Sequence, residues 1–450
     1  MFSGLSAAVG VLAATYILLL AALRSSQDAE EPPSISYSIP FITPMLNMAA
    51  KGTKFHRLMR SNDCCQLDWC QQGDLTSDHG YLMSFPKYVH AALSTGPGLG
   101  VMNRRSIQVI AKSLNALARQ GGATVDMFTW IRHELLLAST EAVYGPRNPF
   151  RDPAMEEAWK SFKAREYMVK VWEQYFDERS FEQGSELIKA RVKINDDFQI
   201  SRKETARIEL GGSQAILSNT LPGTFWVAYH IFSDPVALKD LREALSKGVY
   251  TDDNGVRTVD FSHVKSSCPI LLSTFKETMR VHSLSTATCI AMEDYKLNNE
   301  YLLKKGSTVM MPATVQHTNR DVWGSTVDDF MHKRLVREPG VKGPNPIAFR
   351  GFGGGTTLCP GRHFASTEIL MFSALLVLRF DLYPVTGKWV APPMTKSPLV
   401  NALPIPDWDF QVEMRPRDDG KPWNVCFSGY DKDMEIVAED IESVAPILAH

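Results

Sequence analysis

The sequence predicts a mainly α protein with a small β component, a single large helical body behind one N-terminal transmembrane helix. Three observations carry that expectation. Apolar residues recur at spacings of three and four through much of the chain. Segments with strand character are few and short. The first two dozen residues hold one long apolar run without a charge.

In chain order, Ser3 to Leu23 reads SGLSAAVGVLAATYILLLAAL, long enough to cross a bilayer core at about 1.5 Å per helical residue. A cleaved signal would have a shorter apolar region with a basic flank ahead of it. Here the first basic residue, Arg24, follows the run, which puts the body on the cytoplasmic side. Residues 1–24 are therefore expected to be a membrane anchor. Glu30 to Pro44 holds four prolines and reads as a stiff spacer within a linker over 25–50. From 51 to 450 no shift in composition or internal repeat marks a boundary, so one domain is expected there.

Within it, helical spacing covers Ile107 to Ala118, Phe128 to Val143, Ala154 to Asp177, Ala206 to Phe232, Pro235 to Ser246 and Ser366 to Leu378. Strand-like pieces are Ala287 to Met292, Tyr301 to Pro312 and Phe410 to Met414. At 44% hydrophobic and 22% charged residues the 450-residue chain is not disordered. Its 48 basic and 50 acidic residues offer no excess of positive charge for a nucleic acid. Seven scattered cysteines do not make a disulfide framework, and their odd number suits a reducing compartment. Cys64, Cys65 and Cys70, with His79 nearby, match no zinc-type C-x-x-C spacing and read as a polar loop.

The chemistry concentrates at Phe352 to Ala365, FGGGTTLCPGRHFA. Consecutive glycines let a backbone take positive φ and come close to a flat ligand. Cys359 sits just before a helix, whose first amides favour an anion and bias the thiol toward thiolate. A thiolate beneath a glycine loop is what a haem iron needs as its proximal ligand. A phosphate loop would need GxxxxGK[ST], and no such lysine is present.

The spacing F-x-x-G-x-x-x-C-x-G, over Phe352, Gly355, Cys359 and Gly361, resembles the cytochrome P450 family of haem-thiolate monooxygenases. Glu277 and Arg280 supply that family's E-x-x-R, one helical turn apart. Arg334, within Phe330-Met331-His332-Lys333-Arg334, takes the arginine place of its P-E-R-F element. Gln316 to Asp321 and Trp323-Gly324 match the stretch that precedes it. Counting back from Asp234-Pro235, the family's acid–alcohol pair falls on Ser218 and Asn219, with Thr220 adjacent. Asn219, Pro222 and Phe225-Trp226 look like the branch that contains sterol 7α-hydroxylases and prostacyclin synthase, which holds both hydroxylases and isomerases.

The resemblance implies the P450 fold, haem b with Cys359 as axial iron ligand, and Phe352, Gly355 and Gly361 at the cofactor. It implies a distal helix over Ala215 to Thr224, in which Asn219 orients water or the oxygen ligand through its amide. Electrons would come from NADPH–cytochrome P450 reductase, and the substrate would be a lipophilic small molecule such as a terpenoid, steroid or polyketide. The setting would be the endoplasmic reticulum membrane, single-pass, with the phrase GGGTTLCPGRHFA resembling fungal members. Thr357 stands where the family commonly has an arginine for a haem propionate, leaving Arg104 and Arg105 as candidates. The stretches 60–80 and 159–183 are thinner than the family's pattern. A reductase-independent isomerase or dehydratase, or a non-catalytic remnant, are the alternatives.

Overall fold

The computed structural model describes residues 14–19, 21–22, 79–160, 164–337, 343–355, 358–397, 401–418 and 420–427. The expected anchor lies largely outside the described residues. Residues 14–19 and 21–22 are helical with Tyr16, Ile17 and Leu18 exposed, and no described helix is long and apolar enough to cross a membrane. The linker over 25–50, most of the stretch 60–80 with its three cysteines, and Thr357 also lie outside them.

The chain divides into two compact units. The described part of one is Thr286–Pro312 with the short N-terminal helical pieces. Here β4 (Thr286–Ile290) pairs antiparallel with β7 (Thr308–Pro312), and β5 (Tyr295–Leu297) with β6 (Tyr301–Leu303). Asn298 and Asn299, at φ 53° and 58°, turn the inner hairpin, a conformation that short polar side chains tolerate. The strand expected over Tyr301 to Pro312 is thus two strands, parted where Gly306 takes φ 84°.

The other unit is helical. It runs α1 (Tyr81–Leu93), α2 (Pro97–Arg119), β1 (Ala123–Asp126), α3 (Met127–Tyr144), α4 (Pro153–Trp159), α5 (Arg165–Asp177), α6 (Glu186–Asp197), α7 (Arg202–Ser233) and α8 (Pro235–Ser246). Then come β2 (Val249–Thr251), β3 (Arg257–Asp260), α9 (Phe261–Ser267) and α10 (Pro269–His282). After the hairpins follow α11 (Ala313–His317), α12 (Arg320–Trp323), α13 (Arg362–Arg379), β8 (Phe380–Pro384), β9 (Gln411–Pro416) and β10 (Trp423–Cys426). Two small sheets trim it: β1-β9-β8, and β10-β3-β2, in which β10 and β3 run parallel.

Local chemistry explains the main boundaries. Asp234 accepts from the amides of Val236 and Ala237 and Pro235 opens α8, so that helix has the ends the sequence predicts. Pro97 opens α2 ten residues before the expected start, because proline at the first helical position needs no N–H. The helix expected over Ala154 to Asp177 is two, α4 and α5. In α7, Pro222 does not stop the helix. Thr220 Oγ1 donates to Ile216 O (3.1 Å) and Thr224 Oγ1 to Thr220 O (2.9 Å) beside it.

The core lies where α7 packs on α3, α5, α10 and α13. Both α7 beyond Thr220 and α13 are buried almost all round, as helices at a domain's centre are. One carboxyl is sealed into this core. Glu368 of α13 accepts from Ser106 of α2 and from Ser139 of α3 (2.9 and 3.0 Å), and burial pushes its pKa up to about 8.

Candidate active site

The loop before α13 is folded around Cys359. Cys359 N donates to Phe352 O (2.9 Å) and Leu358 N to Gly355 O (3.2 Å), so the chain doubles back across the glycines. Gly353 and Gly355 take φ 80° and 58°, and a Cβ on Gly355 would meet open space. Cys359 is half-buried at the head of α13, where Arg362 N donates to its carbonyl oxygen (3.4 Å) and the amides of Gly361 and Arg362 lie near enough to the sulfur to favour its charged form.

Burial pushes the Cys359 thiol up, while those amides and the Arg362 charge pull it down, and burial prevails. The helix start alone therefore does not make the thiolate expected from the sequence. A metal displacing the proton would, since a coordinated thiol is deprotonated outright.

Beneath the loop sits a buried charge cluster. Arg280 grips Glu277 with two bonds of 2.8 Å, Nε to Oε2 and Nη2 to Oε1, and Arg334 Nε donates to Oε1 at 2.8 Å. Both Glu277 and Arg280 are all but inaccessible. The outward N–H groups hold backbone: Arg280 donates to His317 O (2.8 Å), and Arg334 to Thr326 O (2.6 Å) and Asp329 O (2.9 Å). The guanidinium of Arg280 also lies 5.4 Å from the Trp323 ring centre. The two arginines pin the irregular 317–334 stretch to α10, as the E-x-x-R reading anticipated.

His317 ties that cluster to the cysteine loop, a role the sequence motif did not disclose. Its carbonyl takes Arg280, and its Nε2 accepts from the amide of Arg350 at 2.8 Å. Its ring stacks on Phe349 at 5.8 Å. Burial drives its pKa down to about 4, so at neutral pH the ring is uncharged and Nε2 is free to accept.

On α7, Ser218 and Asn219 are half-buried and Thr220 is buried. The side-chain oxygen Oδ1 of Asn219 accepts from Leu403 N at 3.1 Å, and the Thr220 hydroxyl is taken by its own helix. Trp226 donates through Nε1 to Pro404 O at 2.8 Å. Arg104 and Arg105 are half-buried on α2, where Arg105 acts on the Tyr175 phenol. The structure assembles Glu277, Arg280 and Arg334 directly, and joins Phe352, Gly355, Cys359 and Gly361 in one loop. An open cleft of about 740 Å³ lined by Lys87, Glu186, Lys189 and Lys193 shares no residue with either.

These residues fit a haem. A single soft donor at a helix start, in a loop with open space at Gly355, suits a metal whose other ligands a macrocycle supplies. Among the described residues no cluster of three or more histidine, cysteine or carboxylate groups could hold a bare metal ion.

The cytochrome P450 family model matches residues 210–410, which take in α7 from Leu210 onward, Glu277, Arg280, Arg334 and Cys359. The chain is 36% identical to the cytochrome P450 monooxygenase nodJ of Hypoxylon pulicicidum over 366 residues, 74% of this chain and 71% of that protein. The chain belongs to the cytochrome P450 family. A second fungal P450 monooxygenase, from Gibberella zeae, is 29% identical over 71% of this chain and 67% of its own length. Rat cytochrome P450 7A1 is 28% identical over 52% of this chain and half of its own, in line with the sterol 7α-hydroxylase likeness read at Asn219 and Phe225-Trp226. As a P450, the chain is a haem-thiolate monooxygenase, and the family implies a haem iron with a cysteine thiolate ligand.

Proposed function

We propose that this P450 inserts one oxygen atom into a lipophilic small molecule of terpenoid, steroid or polyketide type, with Cys359 as the axial ligand of haem b. The observation that carries the reading is the Cys359 loop itself, closed on Phe352 through Cys359 N and tied through His317 to Glu277, Arg280 and Arg334. In the balance, substrate, O2, two electrons and two protons give hydroxylated product and water.

The bound haem supplies the oxygen activation, which thiolate ligation favours. The chain's own residues do the rest. Gly361 and Arg362 amides stabilise negative charge on sulfur, and the buried ion cluster keeps the loop from shifting. Phe352, Gly355 and Gly361 give the loop its shape at the cofactor. The apolar stretch of α7 from Ala215 to Thr224 would line the pocket and exclude water from it. Electrons would reach the cysteine side from a membrane-bound NADPH–cytochrome P450 reductase. Residues 1–24 would anchor the chain in the endoplasmic reticulum membrane with the body on the cytoplasmic side, and fungal relatives support a fungal biosynthetic setting.

The test is incubation of the haem-loaded chain with candidate terpenoids, steroids and polyketides under 18O-labelled dioxygen, with and without NADPH and reductase. A product carrying one 18O atom, formed with reductase present and absent without it, is expected. Product of unchanged mass formed without reductase would replace this reading with the isomerase one.

A further inference from the structure

Residues 401–406, Asn-Ala-Leu-Pro-Ile-Pro, form no helix or strand, yet Asn401, Leu403, Pro404 and Pro406 are buried. A buried irregular segment must find partners for its backbone outside itself. Its two prolines offer no N–H, and four of the groups that remain have partners elsewhere in the chain. Ala402 O accepts from Leu284 N (2.7 Å), two residues past the end of α10. Leu403 N donates to Asn219 Oδ1 (3.1 Å), Pro404 O accepts from Trp226 Nε1 (2.8 Å), and Ile405 N donates to Ser397 Oγ (3.1 Å).

Two of these four bonds come from α7, from residues seven apart and so on one helix face. Between them lies Gly223, where a Cβ would come within 3.0 Å of Leu403 Cδ1. The missing side chain is the notch into which Leu403 fits. Asn219, Gly223 and Trp226 together form a seat cut for residues 403 and 404. Because a backbone N–H can only donate, the Leu403 bond also fixes which end of the Asn219 amide faces it.

We infer that Asn219 is a positioning residue: it acts on the reaction by holding residues 401–406 in place from the distal helix, with Trp226 as the second hold. This rests on the haem-thiolate reading, which makes α7 the helix over the cofactor. It also explains an asparagine at this place in chemical terms. The site needs a short, neutral acceptor for a backbone amide, which neither a hydroxyl bonded to its own helix nor an apolar side chain supplies. A segment held at fixed backbone points presents a fixed wall, and a preorganised wall favours a large ligand far more than a small one.

The test uses Asn219→Leu, Asn219→Asp and Trp226→Phe with two iron-binding probes, imidazole and the bulky azole clotrimazole, read by the shift of the haem absorption band. Imidazole, which is too small to reach the wall, should lose less affinity than clotrimazole in each variant. Clotrimazole should bind about fivefold more weakly to Asn219→Leu and Trp226→Phe, the effect of one net hydrogen bond. Asn219→Asp keeps an acceptor and should return to within twofold of the unmodified chain. In parallel, amide hydrogen exchange at Leu403 should accelerate in Asn219→Leu and be restored in Asn219→Asp. Asn219→Leu matching the unmodified chain in Leu403 exchange, or losing imidazole and clotrimazole affinity alike, overturns the inference. If the unmodified chain holds no haem, the proposed function fails, while the exchange measurement still decides the role of Asn219.

Discussion

Replacing Glu277 by glutamine tests whether the buried ion cluster holds the loop. The carboxylate receives three guanidinium bonds of 2.8 Å and a fourth from Met331 N at 3.2 Å. The glutamine amide would keep one acceptor oxygen, turn an NH2 group toward a guanidinium, and leave Arg280 and Arg334 without an anion. Breaking a buried pair from one side costs about 3–5 kcal/mol, because the other charge stays buried without compensation. The cost should not be recovered by relaxation, since both arginines are also tied to the carbonyls of His317, Thr326 and Asp329. In a unit of this size the loss corresponds to a melting point lowered by on the order of 5–10 °C. Thermal unfolding followed by circular dichroism reads it directly. Arg334→Lys is the graded companion: the Glu277–Arg280 pair survives, one ammonium replaces a fork that made several bonds, and about 1–2 kcal/mol should be lost. A Glu277→Gln protein within about 1 kcal/mol of the unmodified chain would refute the cluster's structural role.

Two further outcomes follow from buried titratable groups. The pKa of Glu368, pushed up to about 8 in the fold, lies above its value of 4.5 when unfolded. Its contribution is therefore present in full below pH 4.5 and is lost as pH rises toward 8, on the order of 5 kcal/mol across that window. Glu368→Gln should flatten that part of the pH–stability curve measured by chemical denaturation, and an unchanged slope would contradict the assignment. His317→Ala leaves the Arg350 amide without its acceptor and should cost about 1–3 kcal/mol. The same variant should release haem faster to an apomyoglobin acceptor, and an unaltered release rate would show that His317 does not steady the loop.

Legibility in the sequence followed the distance over which each feature is decided. The helix from Pro235 to Ser246 was readable to its ends because Asp234 and Pro235 set its start locally. The E-x-x-R pair was readable because both partners lie on one turn. Strands of three or four residues such as β1, β3 and β10 were not, because they are too short to alternate and their partners are remote, as Ala123 opposite Met414 shows. The same limit hid two functional contacts. Asn219 stood out by register, but its partner Leu403 is 184 residues away. His317 lay within a recognised motif, yet its work is done on Arg350, beyond an unrelated stretch. The thiolate bias at Cys359 was read from the helix start alone, and burial of the sulfur, which reverses it in the absence of a metal, is a tertiary property.

The central claim is that Cys359 ligates haem iron. The most direct measurement is the reduced-plus-carbon-monoxide difference spectrum of the chain beside that of Cys359→Ala. A Soret band displaced far to the red in the unmodified chain and lost in Cys359→Ala is the predicted result. A band unchanged by the substitution, or a haem-loaded chain whose band is not displaced, would contradict thiolate ligation by Cys359.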